Sequence, residues 1–286
     1  MDSLPPAEGL AAVIAEAMYQ VVHAAQFGRA RDALIAQYSA RRREEAASPL
    51  VRHGAKYFSQ NDEDGILLEI LRRLGLAAGV FAELGVGNGL ENNSLILLMH
   101  GWKGVWLGGE ALAFEVPAGG PLHFQQAWIT RENCRALLAQ GLAALDQRHL
   151  DVLSIDVDGN DLYVLRELLA AQHRPRVVVV EYNGKFPPPV RWTMPYDPAH
   201  TWDGTDYSGA SLQSLADMLQ EFGYRLVACN LTGSNAFFTR TDDAAKFADV
   251  PSDVSALFMK AEYIVMHPGH ETSPKTIVSF LSAPRR

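Results

Sequence analysis

Three short stretches of this 286-residue chain gather side chains that could do chemistry. The first, Glu83-Leu84-Gly85-Val86-Gly87-Asn88-Gly89, closes an apolar run with alternate glycines, which let backbone approach a ligand beside an acid able to hold a polar cofactor group. That combination suits S-adenosylmethionine. The rival dinucleotide fingerprint needs its third glycine three positions after the second, and Leu90 stands there, so hydride transfer is disfavoured. The second and third stretches, Asp156-Val157-Asp158 and Glu181-Tyr182-Asn183, each put two oxygen-bearing side chains two positions apart at the end of an apolar run. Residues two apart on a strand share a face, so all four can converge at one edge of a sheet. Such hard oxygen ligands on neighbouring strand ends are what Mg²⁺ or Ca²⁺ takes. Equally, they could cap the next helix and bind substrate hydroxyls without metal.

Either arrangement would serve methyl transfer to oxygen, where a metal or a general base lowers the cost of losing the hydroxyl proton. Asp156 and Asp158 are therefore the catalytic candidates, and Asp156, Asp158, Glu181 and Asn183 the metal candidates. A ribose-binding carboxylate is expected about 20 residues beyond the glycine loop, and Glu110 stands there after Leu107-Gly108-Gly109; the competing reading is a solvated loop acid. Gln126, Ala127 and Trp128 follow the third predicted strand, the place for adenine, although Trp128 could simply pack. Ser59, Gln60 and Glu63 reach the cofactor if the helix they begin lies beside the first strand. Ser59 and Asp62 also read as a capping box, with Asp161 as a helix N-terminal residue. His200 could be a base but reads better as a surface residue of a long loop.

The elements that position these groups alternate. Apolar residues from Leu10 to Val22 recur at helical spacing, predicting a helix over 7–37, followed by the charged stretch Arg41 to Glu45. A helix follows Ser59 to Gly65 and stops at Gly75. Strands are then predicted over 79–84, 104–107, 123–127, 151–157 and 177–182, separated by helices over 92–100, 131–146 and 161–171. Leu212 to Phe222 forms an amphipathic helix closed by Gly223, and 224–229 and 236–240 form a hairpin around Thr232-Gly233-Ser234. The long loop 187–206 carries Trp192, Tyr196 and Trp202, with Tyr207 just beyond; these rings could line an acceptor pocket or anchor the loop.

Taken in order, Ser59-Gln60, Glu63-Asp64-Gly65, Glu83 to Gly89, Asp156-Val157-Asp158-Gly159-Asn160-Asp161 and Val180-Glu181-Tyr182-Asn183 resemble the FkbM-like methyltransferases. The likeness continues through Tyr207-Ser208-Gly209-Ala210-Ser211-Leu212 and Asn235-Ala236-Phe237-Phe238, covering roughly residues 55 to 240. It implies a class I fold: α/β, a doubly wound, mostly parallel seven-stranded sheet ending in an antiparallel hairpin. It also implies S-adenosylmethionine as methyl donor and O-methylation of a sugar, glycolipid or other small metabolite. The cofactor contacts carried over are Gln60, Glu63, Glu83, Gly85, Gly87, Gly89, Glu110, Gln126, Ala127 and Asp156. Two positions depart from the family pattern. Gly108 stands where an acid often ends the second strand, which moves ribose binding to Glu110. Asp158 replaces the usual glutamate and shortens its reach. A non-catalytic module that keeps the fold, and N- or C-methylation, remain as alternative readings.

The expected organisation is a helical N-terminal extension over 1–50, the methyltransferase domain over 51–240 and a C-terminal segment over 241–286 that packs on the domain or an interface. About half the residues, 48%, are apolar, enough to bury a large core. With 25 Lys+Arg against 33 Asp+Glu the chain would repel phosphate backbones, so no nucleic-acid partner is expected. No apolar run spans a bilayer, no basic n-region opens the chain, and Cys134 and Cys229 lie in no metal or disulfide pattern, which together predict a cytoplasmic protein. The expected partners are a small-molecule or saccharide acceptor and a second copy, docked through the apolar stripe of the N-terminal helix.

Overall fold

The computed structural model describes residues 7–263 and 272–282; of residues 7–17, 20, 21 and 23–26 it describes the backbone alone. Helix α1 runs unbroken over Ala7–Glu45. The charged stretch expected to follow it is its last turn: Arg41 Nε donates to Glu45 Oε1 at 2.7 Å, and the basic residues there suit the negative end of the helix dipole. Of the apolar stripe predicted on this helix, Met18 and Val22 have described side chains, and both are exposed; Leu10, Val13, Ile14 and Val21 lie outside the described side chains.

Seven strands form one sheet: β1 (Val80–Leu84), β2 (Lys103–Gly108), β3 (Leu122–Gln126), β4 (Val152–Ile155), β5 (Val177–Glu181), β6 (Tyr224–Cys229) and β7 (Asn235–Arg240). Their order is β3-β2-β1-β4-β5-β7-β6, with β1 to β5 parallel and β7 antiparallel to both neighbours. This is the expected class I arrangement. The run Val177-Val178-Val179-Val180 is fully buried, as befits a central parallel strand covered on both faces by helices. Helices α2 (Glu63–Leu74), α3 (Leu95–Met99), α4 (Cys134–Ala144), α5 (Asp161–Ala170) and α6 (Leu212–Glu221) supply that cover. Cys134 and Cys229 are free and buried in the core.

Three local predictions are corrected, and all three corrections bear on the site. Helix α3 starts at Leu95, not Asn92; Asn93 and Ser94 form the turn before it and donate their backbone N–H groups to Glu83. The capping box at Ser59 and Asp62 does not form. Instead, Asp64 Oδ2 accepts the N–H groups of Tyr57, Phe58 and Ser59 at 2.7, 2.6 and 2.9 Å, folding the preceding loop onto the start of α2. Strand β4 ends at Ile155, so Asp156 and Asp158 lie beyond it; Asp158 takes a left-handed φ of 56°, and strand alternation does not orient it.

After β7 the chain packs back on the domain through a 3-10 stretch (Thr241–Phe247), α7 (Val254–Leu257) and α8 (Pro274–Ser282). Phe247, Leu257 and Ile277 are buried, and Arg73 Nη1 pairs with Asp249 Oδ1 at 2.6 Å. Among the described residues, no helix is long and apolar enough to cross a membrane.

Candidate active site

Two cavities open at the carboxyl edge of the sheet, of about 530 and 770 Å³, and both are lined by Gln60, Asp156 and Asp158. An open α/β sheet binds its ligands at this edge, where the strand order reverses between β1 and β4. The first cavity lies over the glycine loop, and the second lies over β5 and the loops around it.

At the first cavity, Gly85 has φ of 93°, and a Cβ there would come within 1.5 Å of the Asp156 carbonyl oxygen. Only glycine lets the ends of β1 and β4 approach this closely. Gly87, with φ of 50°, also lines the cavity, and a Cβ there would meet nothing. Gly89 faces away, packed against Leu112, Phe114 and Trp106. Glu83 borders the cavity, but its carboxylate is already engaged: it accepts from Asn93 N at 3.0 Å, from Ser94 N at 2.9 Å and from the Ser94 hydroxyl. Burial pushes its carboxyl above the ordinary range, and these bonds oppose the shift.

Glu110 and Gly109 line the same cavity, with Trp128 and Ile129. The glycine at 108 has a packing reason, since a Cβ would lie 3.0 Å from Val86 Cγ2. Gln126 and Ala127 do not line the cavity: Gln126 Nε2 donates to Gly109 O at 3.0 Å and Ala127 N to Gly108 O at 2.8 Å, tying β3 to β2. The wall is made by the two residues that follow. Gln60 reaches both cavities. Glu63 lies behind them, fully buried, accepting from Asn230 Nδ2 at 2.7 Å and Asn235 Nδ2 at 3.1 Å.

Between the cavities, ligand oxygens of Asp156, Asp161 and Glu181 lie within 4.8 Å of one another. This set differs from the four residues read from spacing. Asp161 enters it because the turn after β4 folds back, its carboxylate accepting from Val157 N at 2.8 Å and Gly159 N at 3.0 Å. Asn183 lines the second cavity with Glu181; its amide nitrogen donates to Asp206 O and Ser208 O, both at 2.9 Å, and its oxygen accepts from Lys185 N. Asp158 stands outside the cluster at its left-handed turn. Burial, followed by repulsion from Asp161 and Asp158, raises the Asp156 carboxyl well above its usual range. Glu181 is raised the same way, by burial and then Asp156. Burial pushes Asp161 up to about 6. Carboxyls this close cannot all ionise, so they share protons or balance a cation.

His200 also lines the first cavity, where sequence reasoning left it on the surface. Of the four loop rings, Trp202 alone lines a cavity, the second one. Trp192 packs on Phe186 and Tyr207, and Tyr196 on Tyr163, so these rings hold the loop in place. Tyr263, Lys260 and Ala261 supply another wall of the second cavity, a contribution no sequence motif announced.

The residues present fit a sulfonium amino-acid cofactor carrying a nucleoside. Buried Asn92 Oδ1 and Asn235 Oδ1 have no protein partner among the described residues, and both residues line the first cavity, where an ammonium group would satisfy them. Glu110 and Trp128 line the same cavity, an acid for ribose hydroxyls and a ring for the base. The Asp156, Asp161 and Glu181 oxygens likewise suit a hard divalent cation in spacing and type.

Residues 119–226 match the family model of the methyltransferase FkbM domain. That segment runs from the turn before β3 into β6 and contains Asp156, Asp158, Asp161, Glu181 and His200, while the glycine loop lies before it. No curated protein matches the chain significantly. The resemblance read from the sequence holds over this segment, and the seven-stranded sheet is the one a class I methyltransferase requires.

Proposed function

We propose that this methyltransferase of the FkbM family takes its methyl group from S-adenosylmethionine and transfers it to a hydroxyl of a small metabolite, sugar or glycolipid. The observation that carries the reading is the meeting of two cavities at Asp156 and Asp158: one fits the donor and the other has room for an acceptor. Methyl transfer is an in-line displacement at carbon, and a shared wall is where the acceptor oxygen and the sulfonium methyl would meet.

S-adenosylmethionine supplies an activated methyl group when bound. Gly85 and Gly87 would give its amino-acid end a close backbone surface, Asn92 and Asn235 would accept from its ammonium, and Glu110 and Trp128 would hold the nucleoside. Asp156 would take the acceptor's hydroxyl proton in its ionised form, or, sharing a proton with Glu181, would accept it at one oxygen while passing its own proton to Glu181. A divalent cation would be held by Asp156, Asp161 and Glu181, and would polarise the acceptor hydroxyl. In the second cavity Trp202 and Tyr263 offer flat faces, with Asp206 and Ser208 as polar edges, a lining suited to a saccharide. The exposed Met18, Val22 and Leu34 on α1 favour pairing with a second copy, which light scattering of the full chain and of a chain truncated at residue 50 would test.

The function is tested by transfer of labelled methyl from S-adenosylmethionine to panels of saccharide, polyol and glycolipid acceptors. A labelled ether is the expected product. A chain that binds the cofactor yet methylates nothing would instead support the non-catalytic module, and label on nitrogen or carbon would move the acceptor class.

A further inference from the structure

We propose that His200 is a cofactor-contacting residue: it lines the first cavity, and the anchored segment before it sets the His200 Nε2 atom against the nucleoside end of the bound cofactor. This rests on the S-adenosylmethionine reading above. In sequence His200 belongs to a long loop with no element of its own, yet the segment before it is fastened to two parts of the site. Asn160 Nδ2, beside the start of α5, donates to Asp197 O at 2.7 Å, and Tyr163 Oη donates to Met194 O at 2.9 Å. Beyond β3, Trp128 Nε1 donates to Pro198 O at 2.7 Å, Arg131 N donates to Tyr196 Oη at 3.1 Å, and the Arg131 guanidinium lies over the Tyr196 ring at 4.4 Å from its centre. His200 N then donates to Asp197 O at 3.1 Å, turning the chain so that the ring comes down on the β4–α5 turn.

Gly159 makes room for that ring. A Cβ at this position, where φ is 139°, would lie 2.8 Å from His200 Cδ2 and 3.0 Å from Nε2. The ring therefore rests on bare backbone, and Nε2 is buried with no hydrogen-bond partner among the described residues. A buried ring nitrogen without a partner is costly, and one that lines a cavity is satisfied by whatever the cavity holds. The location within the cavity identifies which part of the cofactor that is. Trp128 packs against Gly109, beside Glu110, and its indole reaches the segment two residues from His200. Glu110 and Trp128 are the residues read above as holding the nucleoside. His200 thus faces the adenosine portion, and its partner is a ring nitrogen or ribose hydroxyl of that portion.

Calorimetry on the full chain, with S-adenosylhomocysteine and separately with adenosine, tests this. His200→Ala and His200→Phe, which keeps a ring of similar shape but no nitrogen, are each expected to weaken both ligands about fivefold to tenfold, the value of one hydrogen bond. His200→Gln, which restores a polar group near the same place, should stay within about twofold of wild type. Undiminished affinity in both His200→Ala and His200→Phe would overturn the inference alone. Weakened S-adenosylhomocysteine with unchanged adenosine would also overturn it, by assigning His200 to the methionine end. Wild type that binds neither ligand would overturn the cofactor reading and this inference together.

Discussion

The molecule carries two buried groups of acids, and they are built differently. At the start of α2, Asp62, Glu63 and Asp64 are each met by donors from the protein: Leu231 N reaches Asp62 Oδ1 at 3.1 Å, Asn230 and Asn235 bond Glu63, and three backbone N–H groups converge on Asp64. At the sheet edge, Asp161 is met by two backbone N–H groups, but Asp156 and Glu181 instead line cavities and face one another. The first group is a knot that fixes the loop 57–64 and, through Asn235, one wall of the first cavity. The second is left open to ligands. Asp62 Oδ2 and Asp64 Oδ1 also lack a hydrogen-bond partner among the described residues, so what sets the second group apart is that its acids line cavities.

Substitutions on the two sides should therefore fail in different ways. Asp156→Asn keeps the shape and removes proton exchange, and is expected to slow methyl transfer about 100- to 1,000-fold while the melting temperature holds or rises. Steady-state rates beside thermal unfolding read both. In contrast, Asp64→Ala leaves three backbone N–H groups without an acceptor in a buried loop, and should cost about 3 kcal/mol in denaturant unfolding. An Asp64→Ala chain as stable as wild type, or an Asp156→Asn chain that unfolds early, would erase the distinction.

The same contrast explains how far the sequence could be read. The valine run of β5, the apolar stretch of β1 and the hairpin around Gly233 are local patterns, and they yield a mostly parallel sheet that ends in an antiparallel hairpin, as observed. Gly85 and Gly87 are legible because their backbone requirement is local as well. Asp161 was assigned to its helix and missed from the acid cluster, because the turn after β4 depends on the left-handed Asp158, which alternation along a strand does not anticipate. His200 was missed because the bonds that bring its segment into the site, such as Asn160 to Asp197, join residues 37 apart in the chain. Gln126 and Ala127 were assigned one or two positions early, since β3 continues to Gln126 and the wall begins after it. The misassigned side chains lie at strand ends and in turns.

A pH series separates the knot from solvent-exposed acids. Burial, followed by repulsion from Glu63, pushes Asp62 up to about 7 from an ordinary 3.8. The folded chain therefore keeps this proton to about pH 7, whereas the unfolded chain loses it near 4. The stability this group contributes is fully present below the unfolded value and is lost as pH rises through the folded one. Asp62→Asn, which keeps an acceptor for Leu231 N and cannot ionise, should gain on wild type between about pH 4 and pH 8 by up to about 4 kcal/mol in denaturant unfolding. A difference that stays flat with pH would show that Asp62 titrates as an ordinary carboxylate.

The smallest expected effect addresses the open group directly. If Asp156, Asp161 and Glu181 hold a divalent cation, Mg²⁺ or Ca²⁺ at ten times its dissociation constant should stabilise the folded chain by about 1.4 kcal/mol, read as a rise of a few degrees in melting temperature. Glu181→Gln should abolish that rise. Asp158→Asn should retain it, because Asp158 is turned out of the cluster. A rise lost in Asp158→Asn but kept in Glu181→Gln would return the metal to the residues that spacing alone suggests, and would mean that the turn after β4 rearranges when the ion binds.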